Sequence, residues 1–424
     1  MTVTDARLGD LEERASRFFA LDPEMLADPW SLYADLRAHA PVLRVGPVVV
    51  VSRYDDIKAI FRDTERFSNR RQTGSRVTEK RAALGGDELA MYDHLIGHDS
   101  HHLGLNDPPD HSRLRRFVAR AFSVRAINAL RGEAEGVAEE LLDGIAATGE
   151  GPFDLGALSF YLPFRVVCRM LRIPDIDVES FRGWALAARR GLGTNYENLA
   201  EAYDAVRNIE AYVHDVIRSR RPGSSADGPD DDLVSNLLAA GEDGTGLSDA
   251  ELTTMFTVML TSGNANDMIS NAVIALDAFP GQRTLLHERP ELMSNAIEEF
   301  FRYCPSAHGV HRAVAVDTEI DGFEVRTGET LRLLVASANH DPARFPDPER
   351  LDIEREDAKH QLDFGFGIHT CLGQWLARLD IEVGLTALYR RYPDLRVAGG
   401  FDYRPEYNFR GPVRLLVSGR GRCS

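Results

Sequence analysis

The chain has 424 residues, a formal net charge of −17 at pH 7 and four cysteines without paired spacing. An acidic balance of this size argues against general nucleic-acid binding, and the cysteine pattern argues against a disulfide framework. No apolar run reaches the roughly 18 residues needed to cross a bilayer, and the N-terminus carries no signal peptide. We therefore expect a cytoplasmic protein without a membrane anchor.

The first half of the chain predicts a helix, then a pair of strands, and then further helices. A helix opens near Pro29, and the valine-rich stretch 42–52 predicts two strands that turn at Gly46. The polar stretch 70–106 predicts an irregular loop, and mixed apolar faces predict helices from 111 to about 219. Residues 221–232 have the composition of a surface connection.

The second half predicts a long helix and a small β region. Ser248 and Glu251 form a capping-box pattern at the start of that helix, and residues 316–334 read as strands. No linker divides the chain cleanly, so we expect a single domain over residues 1–424.

One ten-residue run, FGFGIHTCLG at 364–373, carries the strongest chemical signal. Backbone N–H groups and the dipole of the following helix favour a thiolate at Cys371. Glycines let the loop turn sharply, and Gly373 lets a flat, bulky group approach closely. Two alternatives remain open for Cys371. A zinc site lacks further ligands within the loop, and a nucleophile paired with His369 needs an orienting carboxylate elsewhere.

The run resembles the haem-binding loop of the cytochrome P-450 family, F-x-x-G-x-H-x-C-x-G, with every fixed position present. The resemblance spans about residues 28–417. It implies a mainly α-helical fold with a small β-rich region, a haem b cofactor, and Cys371 as the iron ligand, with Phe364 and Gly373 beside the haem.

Three further residues match the family's structural core. Glu299 and Arg302 lie three apart on one predicted helix face and correspond to the family motif E-x-x-R. The resemblance implies that this pair is buried beneath the haem loop and that a second arginine joins it. We expect Arg355 in that role, with Arg350 as the alternative.

The resemblance also implies cationic partners for the haem propionates. His111 and Arg115 match the family's H-x-x-x-R, and Arg312 and His369 match the residues that hold the propionates from the other side. Charge-assisted hydrogen bonds of this kind contribute roughly 1.5–3 kcal/mol each.

The central helix departs from the family pattern. Relatives usually show A/G-G-x-D/E-T, an acid and an alcohol that relay protons to bound dioxygen, whereas Gly263, Asn264, Ala265 and Asn266 stand here. We assign these four residues to the catalytic region. Three accounts remain open: the substrate supplies a hydroxyl or amine, the reaction is not plain hydroxylation, or Asn266 with ordered water does the usual task.

By family position, several separated segments line the substrate pocket. Polar residues are frequent there, which favours a small substrate with several hydrogen-bonding groups. The candidate pocket residues are His102, Asn264, His308, Val310 and Phe409.

Histidines crowd the stretch just before the propionate helix. His94 and His98 have the i,i+4 spacing of two metal ligands on one helix face, but nothing in the sequence supplies the remaining ligands. We favour a polar lid or substrate-recognition segment.

We therefore expect a monomeric oxidoreductase of secondary metabolism that uses O2 and electrons from a separate ferredoxin and its reductase. A basic patch of Arg113, Arg116, Arg120 and Arg378 would steer the acidic donor. One alternative is a haem-thiolate catalyst of oxidative coupling, nitration or peroxide-driven chemistry. Another is a haem protein that binds a ligand without turnover.

Overall fold

A computed structural model describes most of the chain and divides it by contacts into two compact units. The described residues are 3–70, 74–147, 149, 151–173, 178–193, 196–220, 247–261 and 267–421. The first unit comprises Met1–Phe67, Arg131–Pro163 and Asn264–Ser424, and the second comprises Ser68–Leu130 and Phe164–Gly263. The single domain expected over residues 1–424 stays a prediction.

The first unit is built mainly from helices. They are α1 (Val3–Phe19), α2 (Pro23–Ala27), α3 (Trp30–His39), α4 (Tyr54–Arg62), α9 (Arg131–Ala147), α14 (Met268–Ala278), α15 (Pro280–Glu288), α16 (Met293–Tyr303), α17 (Val335–Asn339) and α18 (Gln374–Arg391). Helix α10 (Gly156–Met170) begins in this unit. Short 3-10 turns cover Pro290–Leu292, Ala358–His360 and Gly367–His369.

Among the described residues, the strands form three small sheets. The strands are β1 (Val42–Val45), β2 (Val48–Val51), β3 (Phe67–Ser68), β4 (Phe153–Asp154), β5 (Val310–Val314), β6 (Thr318–Ile320), β7 (Phe323–Val325), β8 (Thr330–Leu333), β9 (Arg396–Val397) and β10 (Leu416–Ser418). Their orders are β1-β2-β8-β5-β3, β4-β10-β9 and β6-β7. Strand β2 pairs parallel with β8, and β5 pairs antiparallel with β8.

The five-stranded sheet carries one of the apolar cores of the first unit. Its valines alternate sides, so Val49 and Val51 pack with Phe61 of α4, whereas Val50 packs toward α1 and α3. Glycine at position 46, with φ 53°, makes the turn between β1 and β2. This core supports β5, which carries Arg312.

The second unit is helical. It contains α5 (Ser75–Ala83), α6 (Gly86–Ser100), α7 (Asp110–Val118), α8 (Val124–Ala129), α11 (Val178–Gly193), α12 (Leu199–Arg220), α13 (Asp249–Thr261), the end of α10 and a 3-10 turn at Leu103–Leu105. Tyr92 and Leu95 of α6 are fully buried against Tyr196 and the start of α12. Within the described residues, no helix is long and apolar enough to span a membrane.

The predicted mainly α-helical fold with a small β-rich region is confirmed, as are the turn at Gly46 and the capping box of α13. Ser248 accepts a hydrogen bond from the Glu251 backbone N–H at 3.2 Å, and Glu251 accepts one from the Ser248 N–H at 2.8 Å. The irregular loop predicted over 70–106 is wrong, because α5 and α6 occupy most of it. Packing of α6 against α12 stabilises this helix although its local sequence has a weak helical pattern. The predicted connection at 221–232 lies outside the described residues.

Candidate active site

The cysteine loop, residues 364–373, contains the 3-10 turn Gly367–His369 and leads into α18. The Cys371 backbone N–H donates to the Phe364 carbonyl at 2.8 Å, and this bond closes the loop. Gly365 and Gly367 have φ angles of 68° and 78°, and a Cβ at Gly367 would lie 2.9 Å from the Phe61 carbonyl oxygen. The loop therefore requires glycine at position 367, both for its backbone angle and for its contact with α4.

The Cys371 side chain is exposed and forms no disulfide. It stands three residues before the first residue of an 18-residue helix, a position that favours negative charge on sulfur. A Cβ placed on Gly373 meets nothing within 4 Å. An exposed thiol two residues before a glycine with open space at its Cβ position fits a thiolate ligand for a flat metal-bearing group.

Aromatic and charged contacts join the cysteine loop to α16 and α18. The Phe364 ring lies 4.4 Å from that of Phe301 on α16, and the Arg378 guanidinium lies 4.5 Å from the Phe364 centroid. Arg378 also donates to both carboxylate oxygens of Glu298, at 2.5 and 3.1 Å. Desolvation raises the pKa of the neighbouring Asp363 carboxyl to about 8, and its Oδ1 accepts a hydrogen bond from the Ala307 N–H at 3.0 Å.

Glu299, Arg302 and Arg355 form a buried ion-pair network. Arg302 donates to the two Glu299 oxygens at 2.7 and 2.8 Å, and Arg355 Nε donates at 3.2 Å. The side chains of Glu299 and Arg302 are completely buried. The Arg350 carbonyl accepts from both arginines, so Arg350 contributes its backbone while Arg355 contributes its side chain.

Backbone groups complete the network around Glu299 and Arg302. Arg302 Nη1 donates to the carbonyls of Asn339 and Pro348, and the Asp352 N–H donates to Glu299. The network therefore ties α16 to the end of α17 and to the segment before the cysteine loop.

The four candidate propionate partners are divided between the two units. Arg312 is buried on β5, 5.0 Å from the Phe61 ring centroid, and His369 ends the 3-10 turn of the cysteine loop. His111 and Arg115 lie one turn apart on α7 in the second unit. Burial and the Arg115 charge lower the pKa of His111.

Three candidate pocket residues lie in the first unit. His308 is buried, with its Nδ1 3.0 Å from the Tyr33 hydroxyl, and burial holds its pKa well below the usual value. Val310 starts β5, and Phe409 forms an isolated backbone bridge with Ala307. The structure thus brings His308, Val310 and Phe409 onto adjoining segments, although the His308 ring packs against α3.

The other candidates are more dispersed. His102 lies in the second unit, where its Nδ1 accepts from the Gly104 N–H at 2.9 Å and burial lowers its pKa to about 4. Gly263, Asn264, Ala265 and Asn266 lie outside the described residues, between the last residue of α13 and Asp267.

A contact that sequence reasoning missed joins α6 to α12. His94 Nε2 and His98 Nδ1 lie 3.0 and 2.9 Å from the two carboxylate oxygens of Glu210. The i,i+4 spacing of the histidines was the available signal, but it did not identify their partner. Across the described part of the chain, no group of three or more metal-binding side chains is arranged to hold an ion.

A mainly helical fold with an exposed cysteine on a glycine-bent loop is typical of haem-thiolate proteins. The sequence model of the family "Cytochrome P450" matches residues 286–395. The chain is 35% identical over 403 residues to vitamin D(3) 25-hydroxylase of Pseudonocardia autotrophica, covering 92% of this chain and 94% of that protein. It is 34% identical to mycinamicin IV hydroxylase/epoxidase of Micromonospora griseorubida, covering 91% and 92%.

Solved structures agree with the sequence comparisons. The epothilone D-bound cytochrome P450epoK superposes with a TM-score of 0.86 at 29% identity, covering 95% of this chain and 98% of that one. The chain belongs to the cytochrome P450 family. It is a haem-thiolate oxidoreductase of the monooxygenase type, and its cofactor is haem b.

Proposed function

We propose that Cys371 ligates the haem iron, with Phe364 and Gly373 beside the haem. By the family resemblance, the propionates would be held by Arg312, His369, His111 and Arg115. Bound haem supplies the oxygen chemistry, and a thiolate ligand favours O–O cleavage. The support comes from the exposed thiol, its loop geometry and the cations predicted around it.

The cysteine loop is the observation that carries this assignment, and an optical spectrum tests it. The reduced protein with carbon monoxide should show the band typical of thiolate-ligated haem, and Cys371→Ser should lose that band. His369→Gln is the matched variant in the same loop, and it should keep the band while retaining haem less tightly. A band typical of histidine-ligated haem in the unmodified protein would contradict the assignment.

For the reaction, we propose insertion of one oxygen atom from O2 into a small organic molecule with several hydrogen-bonding groups. A side-chain acid is absent at position 265, and the Asn266 carboxamide cannot titrate near neutral pH. A hydroxyl or amine of the substrate would organise the water that delivers protons. The polar residues of the candidate pocket support a substrate of this kind.

Isotope labelling and a paired substitution test this reaction. Turnover with ¹⁸O2 should place label in the product, whereas coupled or nitrated product without label would favour the alternative chemistry. Ala265→Asp combined with Asn266→Thr restores the acid–alcohol pair and should raise the yield of product per electron. An unchanged yield would show that proton delivery is not the limiting difference.

Electrons would come from a separate ferredoxin and its reductase. Two of the four arginines predicted to form the basic patch have carboxylate partners. Arg378 pairs with Glu298, and Arg113 pairs with Glu251. Arg116 and Arg120 are exposed on and just beyond α7. These two arginines are therefore the better candidates for steering an acidic donor.

A further inference from the structure

Asp267 directly follows Asn266 and lies at the start of α14, where it takes part in a largely buried ion pair. Its carboxylate accepts a hydrogen bond from the Arg404 guanidinium, and the two side chains are 9% and 17% exposed. Glu406 Oε1 lies 3.5 Å from Arg404 Nε. Arg404 therefore lies close to two carboxylates, that of Asp267 just before α14 and that of Glu406 two residues further along the chain.

Arg404 belongs to a C-terminal loop, residues 403–412, whose ends are joined by an isolated bridge between Tyr403 and Pro412. The Arg404 N–H donates to the Gly411 carbonyl at 3.0 Å, and its Nη1 donates to the Pro412 carbonyl at 3.1 Å. The same side chain therefore closes the base of the C-terminal loop and bonds it to α14.

Gly411 gives the ion pair its space. A Cβ at this position would overlap both the Asp267 carboxylate and the Arg404 guanidinium. The backbone of the C-terminal loop consequently lies directly against the ion pair, and any larger residue would have to displace it.

The middle of the C-terminal loop carries candidate pocket residues. The Asn408 carbonyl accepts from the His308 N–H at 2.8 Å, and Phe409 bridges Ala307. The Arg410 N–H donates to the Ser306 carbonyl at 2.8 Å, and Asn271 of α14 donates to the Arg410 carbonyl at 3.0 Å. The loop is therefore attached to 306–308 by its backbone and to α14 by the side chains of Asp267 and Asn271.

We infer that Asp267 is a positioning residue that fixes the C-terminal loop, and with it Phe409, relative to the start of α14. Because its carboxylate accepts from the Arg404 guanidinium, we assign Asp267 to holding this loop rather than to delivering protons. The consequence for substrate orientation rests on the proposed function, because Phe409 belongs to the proposed pocket. Loss of either Asp267 or Arg404 leaves the other charge without its counter-ion and weakens the contacts at the base of the loop.

Hydrogen exchange of the haem-loaded protein tests whether the ion pair between Asp267 and Arg404 fixes the C-terminal loop. Asp267→Asn and Arg404→Gln should each accelerate exchange of the Arg404 and Arg410 amides by about tenfold, since both changes weaken the same local structure. The double variant should add little to either single one. Glu139→Gln is the control, because it weakens the Arg391 ion pair between α9 and α18 and should leave the loop amides unchanged.

Binding of 4-phenylimidazole to the ferric haem, followed optically, tests the link to the site. Asp267→Asn and Arg404→Gln should raise its Kd about three- to tenfold without additivity, and Asp267→Glu should recover most of the loss. The carbon monoxide band should stay unchanged in all variants. Unchanged loop exchange, or additive effects of the two substitutions, would overturn the inference. Absence of the thiolate band in the unmodified protein would instead contradict the proposed function, whatever the loop does.

Discussion

Glu299 shows how a single residue acquires importance through burial. On sequence spacing alone, Glu299 and Arg302 resemble a surface pair with a free-energy contribution near zero. In the structure Glu299 has no exposed side-chain surface and accepts from two arginines and a backbone N–H. Removing its charge therefore leaves buried cations without compensation.

We expect Glu299→Gln to lower the free energy of unfolding by about 3–5 kcal/mol, because Arg302 and Arg355 stay buried without their counter-ion. Denaturant unfolding of the haem-loaded protein measures this difference. Glu298→Gln is the matched control one residue away, and its more accessible pair with Arg378 should cost about 1 kcal/mol or less. Equal losses in the two variants would contradict the role of burial.

The raised pKa of Asp363 makes the free energy of unfolding depend on pH, and it determines the sign of that dependence. Its folded pKa of about 8 lies above the ordinary aspartate value of 3.8, so the folded state holds the proton more tightly. Its contribution to stability is therefore lost as pH rises from about 4 to about 8. Asp363→Asn should be more stable than the unmodified protein at pH 8, and the gain should shrink at pH 5. Denaturant midpoints at both pH values measure the gain, and an equal gain at pH 5 and pH 8 would contradict the raised pKa.

At the scale of elements, the cysteine loop depends on two glycines for different reasons. Gly367 has a positive φ and lies against the Phe61 carbonyl, whereas Gly373 has a negative φ and open space before it. The first glycine is required by the fold of the loop itself. The second is required only if a bulky group approaches it.

We expect Gly367→Ala to lower both the stability of the haem-free protein and haem retention, because the new Cβ clashes with backbone. Gly373→Ala should leave the haem-free stability unchanged and lower haem retention alone. Thermal unfolding without haem and haem transfer to an acceptor protein separate these effects. A Gly373→Ala variant that retains haem normally would argue against close approach at that position.

Helix α6 shows where a local pattern fails. Its polar composition and glycines predicted an irregular loop, yet Tyr92 and Leu95 are buried and Glu210 of α12 bonds two of its histidines. These partners lie more than a hundred residues away in sequence. The helix is therefore stabilised by tertiary contacts that no local window contains.

For the whole molecule, the net charge of −17 makes a local basic surface significant for an acidic electron donor. We expect Arg116→Glu with Arg120→Glu to slow reduction by ferredoxin about tenfold at low salt, and the difference should shrink as ionic strength rises. Stopped-flow reduction measures both effects. Arg218→Glu, an exposed change on α12, is the control and should reduce the rate far less. An equal slowing by the control would indicate a general charge effect.

The sequence by itself determined the family, the mainly helical fold, the haem cofactor and the cysteine loop, because these depend on short motifs with set spacing and on local periodicity. It also indicated that Arg355 would join Glu299. Only the tertiary structure decided that Arg113 and Arg378 have carboxylate partners, that α6 is helical, and that Asp267 binds Arg404. Each of these depends on residues far apart in sequence that meet only when the chain is folded, and their energies follow from burial that no local pattern reveals.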